Sequence, residues 1–275
     1  MLEPVSSDAG VLTRSKAARY RHSLWLLTKR DLRVRYSTSL LGYVWSVLDP
    51  LLMALIYWFV FAVVFHRGGD VGEEPYIVFL LSGLLPWMWF NGAVSDSTRA
   101  FIRDAKLVRS TSIPRSIWVN RIVLSKGIEF IAALPVLALF VIFVRPQASV
   151  SIDLVFFPLA IVMQAALCVA LGLIIAPLVV FFRDLERAVK LILRFLFYAS
   201  PIVYGLSDLD GLPAGIQTLA AFNPLAGIFS LYRSAFFPAQ LHWSAVGISA
   251  VMVLLLLALG IWIFRRSERL VLKEL

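Results

Sequence analysis

The sequence predicts an all-α integral membrane protein. It has six transmembrane helices, an N-terminal amphipathic interface helix and short re-entrant helices before the last span. Three observations carry this fold class. Of 275 residues, 60% are hydrophobic and 16% charged, with a mean hydropathy of +0.84. Soluble domains average roughly 45–50% apolar and about 25% charged, so the excess must face hydrocarbon rather than water. Six apolar stretches then follow one another, at about 40–65, 76–98, 117–144, 154–182, 188–204 and 243–264. Each is near or above the roughly 17–25 residues that cross about 30 Å of hydrocarbon as a helix. Finally, the basic residues fall on one side. Eight precede the first stretch, five separate the second and third, four surround the turn between the fourth and fifth, and four follow the last. Only Arg67, Arg145 and Arg233 fall on the other side. By the positive-inside rule both termini are cytoplasmic.

Taken in order, residues 1–39 contain no long apolar run, which argues against a cleavable signal peptide. They read as a cytoplasmic segment ending in an amphipathic helix, Lys16–Tyr36. Tyr20, Leu24, Leu27 and Val34 share one arc of this helix, and Arg19, Lys29, Arg30 and Arg33 another. Such a helix either anchors the chain at the inner surface or offers guanidinium forks to phosphate. In the second case Arg30, Arg33 and Arg35 are the candidate ligands of an anionic lipid-linked substrate.

Residues 40–264 form the membrane domain. Pro50, Gly83, Pro86, Pro135, Pro177 and Pro201 interrupt its spans, and backbone freed there must be covered by protein or line a wet cavity. Between the second and third spans, Arg99, Arg103, Lys106 and Arg109 recur at helical spacing and predict a projecting helix over about 99–115. Ser110 to Pro114 end it. This helix either docks a soluble partner through Arg103, Asp104, Lys106 and Arg109 or lies as a solvated loop near headgroups. The stretch at about 206–242 holds two short apolar pieces, Leu212–Phe222 and Pro224–Phe237, broken at Asn223-Pro224. Neither spans, so both read as re-entrant or interfacial helices on the outer side. Residues 265–275 are a cytoplasmic tail.

Aromatic residues gather on two faces. Tyr43, Tyr57, Trp58 and Phe61 share an arc of the first span, and Phe195 and Tyr198 a face of the fifth. Such faces either grip the C–H faces of sugars without a fixed register or belong to an interfacial belt. Inside the spans, Lys126 and Glu129 stand three apart and can pair on one helix face. The single cysteine, Cys168, excludes a disulfide scaffold, and His22, His66 and His242 lack ligand spacing. No metal or cofactor is expected in this chain. The net charge of +9 matches loops facing anionic lipid rather than nucleic acid. No GxxxxGK[ST] loop is present, so an ATP-driven process needs a second polypeptide that binds ATP and Mg.

Six stretches are together specific: RDLRVRYSTSLLGYVWSVLDPL at Arg30–Leu51, GLLPWMWFNGAVSDS at Gly83–Ser97, LVRSTSIPRS at Leu107–Ser116, FFRDL at Phe181–Leu185, SPIVYGLSDL at Ser200–Leu209 and FNPLAGIFSLYRSAFF at Phe222–Phe237. Nearly the whole chain thereby resembles the transmembrane permease subunits of type-2 ABC polysaccharide exporters, the Wzm-type proteins of O-antigen, capsule and teichoic-acid export. One departure is Asp49, where that family commonly has an uncharged residue. The resemblance implies a homodimeric channel in the bacterial inner membrane with two copies of an ATPase subunit. It also implies a gate role for the basic N-terminal helix and a coupling role for Arg103–Arg109. The substrate would be a glycan on a polyprenyl pyrophosphate. Two alternatives stay open: a polyprenyl-phosphate glycosyltransferase or polymerase, and a type-2 ABC exporter of a small drug or lipid.

Overall fold

The computed structural model describes residues 16–37, 42–64, 75–111, 113–143, 150–209, 211 and 213–274. All regular elements among them are helical. Arg14, Arg67 and Arg145, used above for orientation, and Leu212 of the first outer piece lie outside the described residues, as do the side chains of Tyr43 and Phe61.

Helix α1 spans Lys16–Tyr36, the bounds the amphipathic pattern predicts. Its inward stripe is centred on Asp31 and Arg35, so Tyr20, Leu24 and Leu27 are half-buried while Val34, at the rim, is exposed. A turn at Gly42, whose φ of 48° suits glycine, leads into α2, Trp45–Trp58. This helix continues as a π-helical segment over Phe59–Val64. Helix α3, Tyr76–Ser97, is central and packs against α2, α5, α6, α7 and α9. Helix α4 (Ala105–Ser110) is short, α5 covers Ile117–Phe143 and α6 covers Phe157–Phe181. Then come α7 (Leu185–Ala199), α8 (Ala214–Ala221), α9 (Pro224–Ser234) and α10 (Trp243–Glu274).

Four helical segments are long and apolar enough to cross a membrane: Tyr76–Ser97, Ile117–Phe143, Ile152–Phe181 and Trp243–Glu268. They correspond to the second, third, fourth and sixth of the expected stretches. The first stretch is a 14-residue helix extended by six π-helical residues. The fifth stops after 15 residues, about 22 Å at 1.5 Å per residue, because Pro201 pushes Ser200 into extended backbone. The projecting helix over about 99–115 is revised. Asp104 takes a non-helical φ,ψ of −118°, 30°, so turns precede α4 and only Lys106 and Arg109 share it. The tail is not separate either: α10 runs through it to Glu274, burying Phe264 and Val271.

The outer pieces form as their sequence directs. Asn223 accepts the Leu225 N–H at 3.0 Å and Pro224 opens α9, which separates α8 from α9. The Asn223 amide also donates to Ser200 Oγ at 2.8 Å, tying α9 to the end of α7.

Candidate functional site

Helix α1 follows α5 and is fastened to it at three levels. At the first, Asn120 donates to the Tyr20 hydroxyl at 2.7 Å. At the second, the Arg121 guanidinium donates to Asp31 at 3.0 Å and to Asp104, and Arg30 donates to Asp104 at 3.1 Å. Arg121 is 2% exposed and lies over the Trp118 ring, 4.7 Å from its centroid. At the third level, Arg35 donates to Glu129 at 2.7 Å and to Asp96 at 2.9 Å. Lys126 completes this cluster, 3.2 Å from Glu129 and 3.7 Å from Asp96. The pairing of Lys126 with Glu129 read from sequence is present, inside a larger group. A charge as deep as Arg121 persists because it faces opposite charges.

Two cavities flank the third level, and Arg35 lines both. One, of about 320 Å³, lies among Trp45, Asp49, Trp89, Lys126 and Glu129. The other, of about 670 Å³, has Arg99, Arg103, Arg121 and Arg183 on its walls as well. Asp31, Asp96 and Glu186 face the same space.

Arg99 donates from Nε to both Glu186 oxygens at 3.0 Å, and Lys190 donates to Glu186 at 2.7 Å. Hydrogen bonds from Arg99 and then Lys190 pull the Glu186 carboxyl from its ordinary 4.5 down to about 2, against the opposing cost of burial. A depressed carboxyl stabilises the fold above the unfolded value and loses that contribution as pH falls through the folded one. The window is therefore about pH 4.5 to 2. Arg99 is largely exposed, so water screens the pair and the effect is small. Melting of the purified protein should decline across that window, and Glu186→Gln should flatten the decline.

Of the predicted anion ligands, Arg30 and Arg35 are engaged by carboxylates. Arg33 is exposed, with no ion pair among the described residues. Arg103, Lys106 and Arg109 are exposed, whereas Asp104 turns inward onto Arg30 and Arg121. The link between the aromatic faces of α2 and α7 is the buried Phe197, outside the predicted face: it lies 5.4 Å from Tyr57 between ring centroids and 5.0 Å from Tyr198. Trp58, Phe195 and Tyr198 are exposed beside them. Neither Arg121 nor Asp31 stands among the expected site residues. The available signal was a lone arginine within an apolar run, which needs a carboxylate partner from elsewhere.

Residues 22–237 match the ABC-2 type transporter family. The chain is 35% identical over 247 residues to an O-antigen export system permease protein RfbA of Klebsiella pneumoniae, covering 89% of this chain and 92% of that one. It is 30% identical over 252 residues to the protein of the same name from Myxococcus xanthus, covering 90% and 94%. A polysialic acid transport protein KpsM of Escherichia coli is 24% identical over 241 residues, covering 87% and 91%.

Proposed function

This chain belongs to the ABC-2 type transporter family, and from that premise we propose that it exports a polyprenyl-pyrophosphate-linked polysaccharide across the bacterial inner membrane. It is the membrane subunit of an ABC polysaccharide exporter. The observation that carries the reading is identity of 30–35% to O-antigen export permeases along about nine-tenths of the chain. It is a transport subunit, not an enzyme. Two copies form the channel and two ATPase subunits, carrying ATP and Mg, drive it from the cytoplasm.

In this reading the π-extended helix α2 and the pair α7 with α8–α9 complete six membrane passages, and both termini are cytoplasmic. Arg103, Lys106 and Arg109 present three exposed cations to the ATPase. Arg30, Arg33 and Arg35 receive the carrier's pyrophosphate. Arg33 is open to it in the resting arrangement, while Arg30 and Arg35 exchange carboxylates for phosphate oxygens. The glycan then passes Tyr43, Tyr57, Trp58 and Phe61 of the first passage and Phe195 and Tyr198 of the fifth. Aromatic faces suit a sliding polymer because they fix no hydrogen-bond register.

Conditional depletion, with lipid-linked glycan quantified on each face of the inner membrane, tests the function. Full-length glycan accumulating inside is the expected result. Missing or truncated glycan would mean an enzyme that builds it, and normal surface glycan a small-substrate exporter. For the anion site, Arg33→Gln should reduce export up to several-fold at unchanged stability, since an exposed ion pair is worth about 0.2–1 kcal/mol. Replacing Arg30, Arg33 and Arg35 together by glutamine at constant expression should leave under about a tenth, with roughly 1.4 kcal/mol per tenfold. Unchanged export in the triple variant would remove these arginines from substrate capture.

A further inference from the structure

Among the described residues, one side chain bonds both α1 and the segment entering α4. Arg121 reaches Asp31 of α1 at 3.0 Å and Asp104, the residue before α4. Arg30 closes the loop from the α1 side, 3.1 Å from both Asp104 oxygens. Four charges from three segments thus share one cluster, and its central guanidinium is 2% exposed. Its planar fork serves two carboxylates at once, a task that a lysine ammonium does not reproduce. The Trp118 ring beneath it, 4.7 Å away, limits where that fork can go. Val108 of α4 is buried and Leu107 packs on the core, so α4 and Asp104 are set into the protein body together.

From this geometry we infer that Arg121 is a positioning residue that transmits displacement of the α4 segment to α1, through a relay Asp104–Arg121–Asp31. A rigid pair of bonds through a buried centre couples the two segments. Water cannot substitute for either bond without exposing the guanidinium. When the ATPase moves Arg103, Lys106 and Arg109, Asp104 moves with them, Arg121 follows and α1 shifts on α5. The inference rests on the proposed ATPase contact of those three cations. It assigns to Arg121 a role that neither substrate nor ATPase contact requires.

The test uses the full chain assembled with its ATPase subunit in lipid. A cysteine replacing the exposed Trp25 of α1, with Cys168→Ala, reports the position of α1 through its rate of reaction with a soluble maleimide. In this parent, a non-hydrolysable ATP analogue should change that rate several-fold; no change overturns the relay. The variant D31N/D104N/R121M, neutral at both bonds, keeps shape while removing every charge of those bonds. It leaves only the partly exposed Arg30 charged, and such replacements are often tolerated by the fold. In it the rate should no longer respond to nucleotide and export should fall at least tenfold, while ATP hydrolysis stays within about twofold of the parent. A parent-like response with parent-like export overturns the proposal. Arg121→Lys keeps the charge without the fork and should give an intermediate response. A full response there overturns it too, including where the neutral variant fails to assemble. Charge reversal at Arg103, Lys106 and Arg109 separates the two readings. Undiminished co-purification of the ATPase sinks the contact. Lost co-purification together with a full response in Arg121→Lys sinks the relay alone.

Discussion

Gly227→Val is expected to abolish accumulation of folded protein, while Gly247→Ala stabilises it. Both glycines sit in helices, and the difference lies in what a side chain would meet. A Cβ at Gly227 would fall 2.6 Å from the carbonyl carbon of Ala245 and from Cα of Val246, and nearer still to the Ala245 oxygen. These are backbone atoms of α10, so no rotamer change relieves the contact. Helix α9 or α10 must move as a body, and the bond from the Gly227 N–H to Ser249 Oγ at 3.0 Å is lost with it. Overpacking in adaptable cores costs typically 1–3 kcal/mol, and a valine against backbone lies at or beyond the upper end. Gly247, on α10, faces nothing within 4 Å. Alanine there relieves the roughly 0.5–1 kcal/mol that a mid-helix glycine costs. Gly260→Ala, 2.6 Å from the Ala170 oxygen, should behave like a milder Gly227 variant. Monodisperse yield and melting temperature of the parent, Gly227→Val, Gly227→Ala, Gly247→Ala and Gly260→Ala in one detergent decide the matter. Equal melting of Gly227→Ala and Gly247→Ala would refute the close helix approach.

What sequence made legible is what local chemistry controls. The helical run of α1 up to Tyr36 follows from its own amphipathic pattern, and the break between α8 and α9 from Asn223 capping and Pro224. The apolar runs of α3, α5, α6 and α10 announce themselves by composition alone. The fifth stretch is apolar over a wide arc of α7 despite Lys190 and Arg194: Val189, Leu193 and Phe197 face the core while Leu191, Phe195 and Tyr198 are exposed. Such a run reads as longer than the helix that Pro201 ends. The charge clusters were illegible for a different reason. Arg35 and Glu129 are 94 positions apart, and Asp31 and Arg121 are 90 apart. No periodicity links such positions; only the fold brings them together. The same holds for Asp104, whose neighbours in sequence are exposed cations while its partners lie in α1 and α5.

The second large effect is expected at Arg233, and its sign cannot be repaired in the way that the Arg121 cluster allows. Arg233 is 2% exposed, donates to the carbonyls of Tyr204 at 2.9 Å and Ile202 at 2.6 Å, and lies 3.8 Å from the centroid of the Phe79 ring. It holds the chain just after α7 against α3, where Gly83 leaves room for it: a Cβ there would fall 3.0 Å from its Nη2. Arg233→Met removes two charge-assisted hydrogen bonds of about 1.5–3 kcal/mol each and strands two acceptors. A loss of about 3–5 kcal/mol follows, with the segment Ser200–Gly205 released from α9. At Arg121 the partner carboxylates can be amidated along with replacement of the arginine, which leaves the buried centre uncharged and only the partly exposed Arg30 cation beside it. At Arg233 the named partners are backbone carbonyls, present whatever the side chains are, so no compensating substitution restores them. Lysine should recover part of the loss, since one ammonium can still reach a carbonyl but cannot fork to both. Thermal melting, with limited proteolysis across 200–206, measures both effects. An Arg233→Met protein as stable and as protected as the parent would show that α9 needs no such clamp, with the Asn223 contacts and the bond from the Tyr76 hydroxyl to the Val203 carbonyl sufficing to hold the segment.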